Sequence, residues 1–229
     1  ENPGRKVPFS INSEVARCPW NQNNRLVRIG IQGQEVETKD LPPNNLVFLV
    51  DVSGSMDNHN KLPLLKRAFK MMVDQLDEND YVSIVTYASR TGVHLPSTSC
   101  ANKKLIKARM DDLFSGGGTN GAGGIQLAYR EAERHLLKRG NNRIILATDG
   151  DFNIGISGKD QLVSLMEEKR EKGIDFTVLG FGMGNIKDAN MEAMANNGNG
   201  NYFYIDSDQE AQHTLVDNLA GTLFTIAKD

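Results

Sequence analysis

Five short apolar runs, rich in β-branched and aromatic residues and separated by stretches of helical periodicity, constrain this chain more than any other feature. They are Leu46–Val50, Tyr81–Tyr87, Arg143–Thr148, Ile174–Gly180 and Tyr202–Ile205. Runs that stay apolar along their length, instead of alternating with polar residues, suit strands covered on both faces, the condition inside a parallel sheet. Between them Leu62, Leu65, Phe69, Met72, Val73 and Leu76 recur at helical spacing, as do Ile125, Ala128, Ala132 and Leu136, then Leu162, Leu165 and Met166. Further helices are expected at Lys103–Leu113, Asp188–Ala195 and Gln209–Ala227, with Gly140 and Gly173 placed as helix C-caps. Val93-His-Leu95 reads as an antiparallel edge strand. The alternation predicts a doubly wound, Rossmann-like α/β fold with a mostly parallel central sheet and helices on both faces.

Ahead of that pattern the chain reads differently. Leu26-Val-Arg-Ile-Gly-Ile-Gln32 alternates, then Gly33 precedes the hydrophilic run Gln34–Asp40, and together these suggest a hairpin strand pair. Leu41-Pro-Pro-Asn44 follows, and consecutive prolines resist both helix and ladder. Residues 1–43 are therefore expected to form a β-hairpin extension and residues 44–229 the α/β domain.

Composition narrows the function. The chain has 229 residues, 39% of them hydrophobic and 24% charged, which is ordinary for a globular domain. Its 26 Lys and Arg are scattered among 29 Asp and Glu for a net charge of −3, leaving no basic stripe for a phosphate backbone, so nucleic acid is not an expected partner. The longest clear apolar run is Leu46–Val50, far short of the roughly 20 residues a transmembrane helix needs, so no transmembrane segment and no pore is expected from these residues. Glu1–Ser10 shows neither an initiator Met nor an apolar signal core, which reads as a trimmed or mature fragment and hides the compartment. Cys18 and Cys100 are compatible with one disulfide or with two free thiols. His59, His94, His135 and His213 lack paired spacing and read as surface or packing residues.

The chemistry gathers where the strands end, because doubly wound folds place their sites at the carboxyl ends of the strands. The first run leads directly into Asp51-Val-Ser-Gly-Ser-Met56, setting Asp51, Ser53 and Ser55 at alternate positions past a strand end. The Arg143–Thr148 run leads into Asp149-Gly-Asp-Phe-Asn153, a second carboxylate at a carboxyl edge. Ser115-Gly-Gly-Gly-Thr-Asn-Gly121, ahead of a helix from Ala122 to Lys138, lets backbone come close and offers the Thr119 hydroxyl. Oxygen ligands of this kind suit a hard divalent cation, Mg²⁺ above all, with Mn²⁺ and Ca²⁺ as alternatives. An EF-hand is excluded, since its loop would need Gly and Glu where this chain has Met56 and Leu62. A nucleotide loop is not the expected reading either: the glycines do not directly follow the first strand and contain no Gly-Lys-Ser/Thr. Asp151, Asn153 and Asn58–Lys61 read as turn and solvated loop, with a role at the partner surface as the alternative.

As a set, these residues resemble the von Willebrand factor type A domain family, whose metal-ion-dependent adhesion site combines an Asp-x-Ser-x-Ser loop, a Thr on a second loop and an Asp on a third. Asp51, Ser53, Ser55, Thr119 and Asp149 match those positions. The words Asn45-Leu-Val-Phe-Leu-Val-Asp-Val-Ser-Gly-Ser-Met56, Gly117-Gly-Thr-Asn-Gly121 and Thr148-Asp-Gly-Asp-Phe-Asn153 are similar more narrowly to the bacterial YfbK-like branch, over about residues 43 to 229. The resemblance implies that the serines, and often Thr119, hold the metal directly, that the carboxylates act directly or through water, and that an Asp or Glu of a protein partner completes the shell. It also implies an exported or envelope-associated bacterial protein with a further region beyond Asp229. Some relatives carry the label of calcium-activated chloride channel homologue, which without a spanning segment does not imply channel activity.

The expected function is thus a metal-dependent protein-binding module for adhesion or assembly, not an enzyme. One alternative is a Mg²⁺-dependent phosphohydrolase with Asp51 as nucleophile, but Ser53 stands where such enzymes usually carry a second Asp as acid/base. Another is a structural assembly domain in which the metal only rigidifies the loops.

Overall fold

The structure, a computed structural model, describes residues 9–33, 42–150, 159–182 and 188–218. The described residues fall into two compact units, 9–33 and 42–218. In the first, β1 (Phe9–Arg17) and β2 (Arg25–Gly33) form an antiparallel ribbon in register from Phe9 opposite Gly33 to Arg17 opposite Arg25. Ile11 faces Ile31 and Val15 faces Val27, so the alternate apolar residues of both strands share one face of the ribbon. This corrects the expected pairing. The Leu26–Gln32 run pairs with the upstream segment Phe9–Arg17, whose alternation is diluted by Ser10, Asn12, Ser13 and Glu14, while Gln34–Asp40 lies outside the described residues.

The second unit is built on β3 (Asn44–Asp51), β4 (Tyr81–Tyr87), β5 (Thr91–Ser99), β6 (Asn141–Thr148), β7 (Ile174–Phe181) and β8 (Tyr202–Ile205), in the order β5-β4-β3-β6-β7-β8. All neighbours run parallel except β4 and β5. Every residue of β3 and β7 is buried, which is why these strands read as unbroken apolar runs. The chain winds outward from β3 to β4 and β5, then crosses back to β6 and winds the other way. The topological switch point therefore lies between β3 and β6.

Helices cover both faces. Val47, Leu49, Ile144, Leu146, Phe176 and Val178 point to one side, where they pack with Ile125, Ala128, Tyr129 and Ala132 of α3 (Gly121–Arg134), Leu162 and Met166 of α4 (Lys159–Glu171), and Met191, Met194 and Ala195 of α5 (Asp188–Asn197). On the opposite side Phe48 stacks on Phe69 of α1 (Leu62–Gln75) with ring centroids 4.2 Å apart. That helix is flanked by α2 (Lys103–Asp111) and α6 (Asp208–Gln212), the latter continued by a π-helical stretch, His213–Asp217. Residues beyond 218 in the expected last helix lie outside the described residues. No helix among the described residues is long and apolar enough to cross a membrane.

Gly173 closes α4 with φ +82°, as its position implied. Gly140 does not cap α3, which ends at Arg134, short of Leu136 and Lys138. The Asn142 side chain instead ties down the following turn, accepting from the Leu137 amide and donating to the Leu137 carbonyl. Glycine is needed at position 140 for space: a Cβ there would stand 2.6 Å from the Pro43 carbonyl oxygen. Cys18 and Cys100 are both free thiols and both buried.

Candidate metal centre

Asp51 is the last residue of β3, fully buried at the switch point. Three donors fix its carboxylate. The Ser53 amide donates to Oδ1 at 2.9 Å, while the Tyr87 hydroxyl and the Thr148 hydroxyl donate to Oδ2 at 3.1 and 3.0 Å. Burial raises the Asp51 carboxyl above its ordinary value, the Ser53 hydrogen bonds pull it back, and the charge of Asp149 pushes it up again. Burial and the neighbouring Asp51 charge likewise hold Tyr87 well above the usual phenol range, so it stays protonated as a donor.

From Asp51 the backbone turns into a short 3₁₀ segment, Gly54–Met56, which buries Met56 and leaves Ser55 exposed. The Ser53 and Ser55 hydroxyl oxygens come within 3.0 Å of each other. The second loop is fastened to the first by backbone: the Gly54 amide donates to the Gly117 carbonyl at 3.0 Å, and the Gly116 amide to the Val52 carbonyl at 2.8 Å. Gly117 makes this docking with φ +83°, a conformation that favours glycine, and a Cβ there would stand 2.6 Å from the Ser89 hydroxyl. Ser89 also accepts from the Gly118 amide at 2.7 Å. Thr119 follows, half-buried, just ahead of Asn120, which caps α3 by accepting from the Gly123 amide. No hydrogen bond joins the Thr119 hydroxyl to the other four residues among the described residues.

The third loop leaves β6 at Thr148. Asp149 is buried, with its side chain only 2% exposed. The Lys61 ammonium donates to Asp149 Oδ2 at 2.8 Å and to the Ser55 carbonyl at 3.0 Å, linking the first and third loops. Asp151 and Asn153 lie outside the described residues. Sequence reading did not single out Tyr87, Thr148 or Lys61 for the site, since two of them close apolar strands and the third lies in a loop read as solvated.

The residues fit a hard divalent cation. Two hydroxyl oxygens converge, and two carboxylates are buried close enough for one charge to disturb the other. Among the described residues no group of three or more His, Cys, Asp or Glu side chains could hold a metal, so a cation here would rest on hydroxyls and carboxylates together.

The fold and the site define a doubly wound α/β domain with a crevice of hydroxyls and carboxylates at its switch point. The chain belongs to the von Willebrand factor type A domain family, which matches residues 45–218. It is 42% identical over 225 residues to the uncharacterized protein YfbK of Escherichia coli (strain K12), covering 98% of this chain and 39% of that protein. The chain spans less than half the length of the curated relatives it matches. Among solved structures it is similar to the conserved hypothetical protein BatB from Bacteroides thetaiotaomicron, with a TM-score of 0.65 at 22% identity, covering 79% of this chain and 98% of that one. It is similar also to proximal thread matrix protein 1 from the mussel byssus, a structure described as having a zinc-occupied MIDAS motif, with a TM-score of 0.60 at 22% identity over 77% of this chain and 45% of that one.

Proposed function

We propose that this domain is a metal-dependent protein-interaction module in which Asp51, Ser53, Ser55, Thr119 and Asp149 hold a divalent cation, Mg²⁺ foremost, that captures an Asp or Glu of a protein partner. The observation that carries the reading is the pinned geometry of the switch point, where three loops are tied together around two adjacent hydroxyls and two buried carboxylates. Neutral hydroxyl ligands leave a cation more electrophilic than an all-carboxylate shell does, so an external carboxylate gains more by joining it. The zinc-occupied MIDAS motif described for the mussel protein supports a divalent ion as ligand of a domain of this fold, without choosing the metal.

The reading as a binding module rather than an enzyme draws support from Asp51. A nucleophile needs an accessible lone pair and a nearby acid or base, whereas Asp51 is fully buried, its oxygens accept from three donors, and Ser53 follows in the acid/base position. An exported or envelope location belongs to the same proposal, on the resemblance to the YfbK-like branch. The test is biolayer interferometry against an immobilised panel of peptides bearing Asp or Glu beside their Asn or Gln counterparts. Binding to acidic peptides that needs Mg²⁺ and vanishes with chelator is expected. Equal binding to the amide peptides, or binding indifferent to chelator, would overturn the carboxylate-capture reading.

A further inference from the structure

A cation of the protein's own stands at this crevice. Lys61 immediately precedes α1, and its ammonium bridges Asp149 Oδ2 at 2.8 Å and the Ser55 carbonyl at 3.0 Å, while its side chain remains 22% exposed. Its stem passes close to Gly182, the residue after β7. Gly182 has φ +108°, and a Cβ there would stand 2.9 Å from Lys61 Cε and 3.1 Å from Cγ. The Tyr204 hydroxyl donates to the Gly182 carbonyl, anchoring this passage to β8. The Lys61 ammonium thus rests directly on the carboxylate of one of the five proposed ligands.

Charge bookkeeping gives that placement a consequence. The ionised Asp51 and Asp149 would balance a divalent cation, leaving it little pull on a further anion. With the Lys61 ammonium included, the ion and these three side chains, counted among the described residues, sum to one net positive charge. Like charges at close range in a partly buried site repel by far more than they do in water. The ammonium therefore opposes metal entry and, once a metal is held, favours an incoming carboxylate. We propose that Lys61 is a positioning residue that trades affinity for the divalent ion against affinity for the partner's carboxylate. The inference rests on the metal-binding reading above and deepens it.

The test compares chelator-stripped wild type with Lys61→Met, Lys61→Gln and Lys61→Arg, each checked for native circular dichroism. Calorimetric titration with Mg²⁺ and Mn²⁺ is expected to show binding at least about fivefold tighter in Lys61→Met and Lys61→Gln, with Lys61→Arg returned to the wild-type range. Acetate is then titrated into the Mn²⁺-saturated proteins and followed by water-proton relaxation. The two neutral variants are expected to bind acetate at least about threefold more weakly than wild type and Lys61→Arg. If Lys61→Gln behaves as wild type while Lys61→Met does not, a hydrogen bond and not charge is responsible, and the proposal falls. Metal or acetate affinity unchanged in both neutral variants also overturns it, leaving the metal-binding reading intact. Absence of metal binding by wild type and all variants would overturn both.

Discussion

At the scale of single residues, the site works by assigning each carboxylate a distinct set of partners. Asp51, fully buried, accepts from three donors, and the farthest of them, Thr148, comes from 97 residues away. Removing one donor leaves the carboxylate less well solvated by the protein. Tyr87→Phe should therefore lower stability by about 1–3 kcal/mol, read from urea unfolding. No loss would show that the Tyr87 hydroxyl contributes nothing to holding Asp51. The alternating Asp51, Ser53 and Ser55 were legible because their geometry is local: alternate residues past a strand end, with the Ser53 amide bonded to the Asp51 side chain two residues back. Tyr87 and Lys61 were not, because they arrive by tertiary packing from 36 and 88 residues away from the carboxylates they serve. Nothing in a tyrosine closing a strand, or in a lysine within a polar loop, reports the partner that the fold will bring.

At the scale of elements, the sheet separates function from support. The crevice lies at the carboxyl ends of β3 and β6, while the opposite ends carry a buried polar network. Arg143, in register with Asp175, pairs with it at 3.0 Å and donates to Thr177 at 2.7 Å. Burial pulls the Arg143 guanidinium down and the Asp175 charge holds it up, so the pair is held together at a desolvation cost. Asp175→Ala would leave a buried guanidinium without its carboxylate and should cost about 3–5 kcal/mol in denaturant unfolding, with metal affinity unchanged. A marginal loss of stability, or a shift in metal affinity, would contradict this division of labour. The strands of the sheet were readable from their length and apolar content, but their order, and with it the switch point between β3 and β6, was not, because tertiary packing decides which strands become neighbours. The shortfall of α3 was not, because its end is set by the Asn142 side chain across a turn and by the close approach of Gly140 to Pro43. The β1 strand escaped notice for a similar reason: its apolar alternation is weak by itself and gains meaning only opposite β2.

At the scale of the whole molecule, every residue proposed to hold the cation lies in the second unit, between Pro42 and residue 150. These residues come from three loops, so the cation ties together chain segments that unfolding would scatter. A ligand that binds only the folded state adds about 2.7 kcal/mol at a concentration one hundred times its Kd. For a chain of this size that corresponds to roughly 5–10 °C in Tm. Chelator should lower Tm by about that amount relative to protein in saturating Mg²⁺, and Ser53→Ala should shrink the difference. A Tm indifferent to Mg²⁺ in wild type would mean the folded state gains nothing from the ion.

The central claim is that the switch-point crevice binds a divalent cation, and calorimetric titration of chelator-stripped protein with Mg²⁺, Mn²⁺ and Ca²⁺, beside Asp51→Ala of verified fold, addresses it most directly. Saturable binding to a single site by wild type, abolished in Asp51→Ala, is the result predicted. No binding by folded wild type, or equal binding by Asp51→Ala, would contradict it.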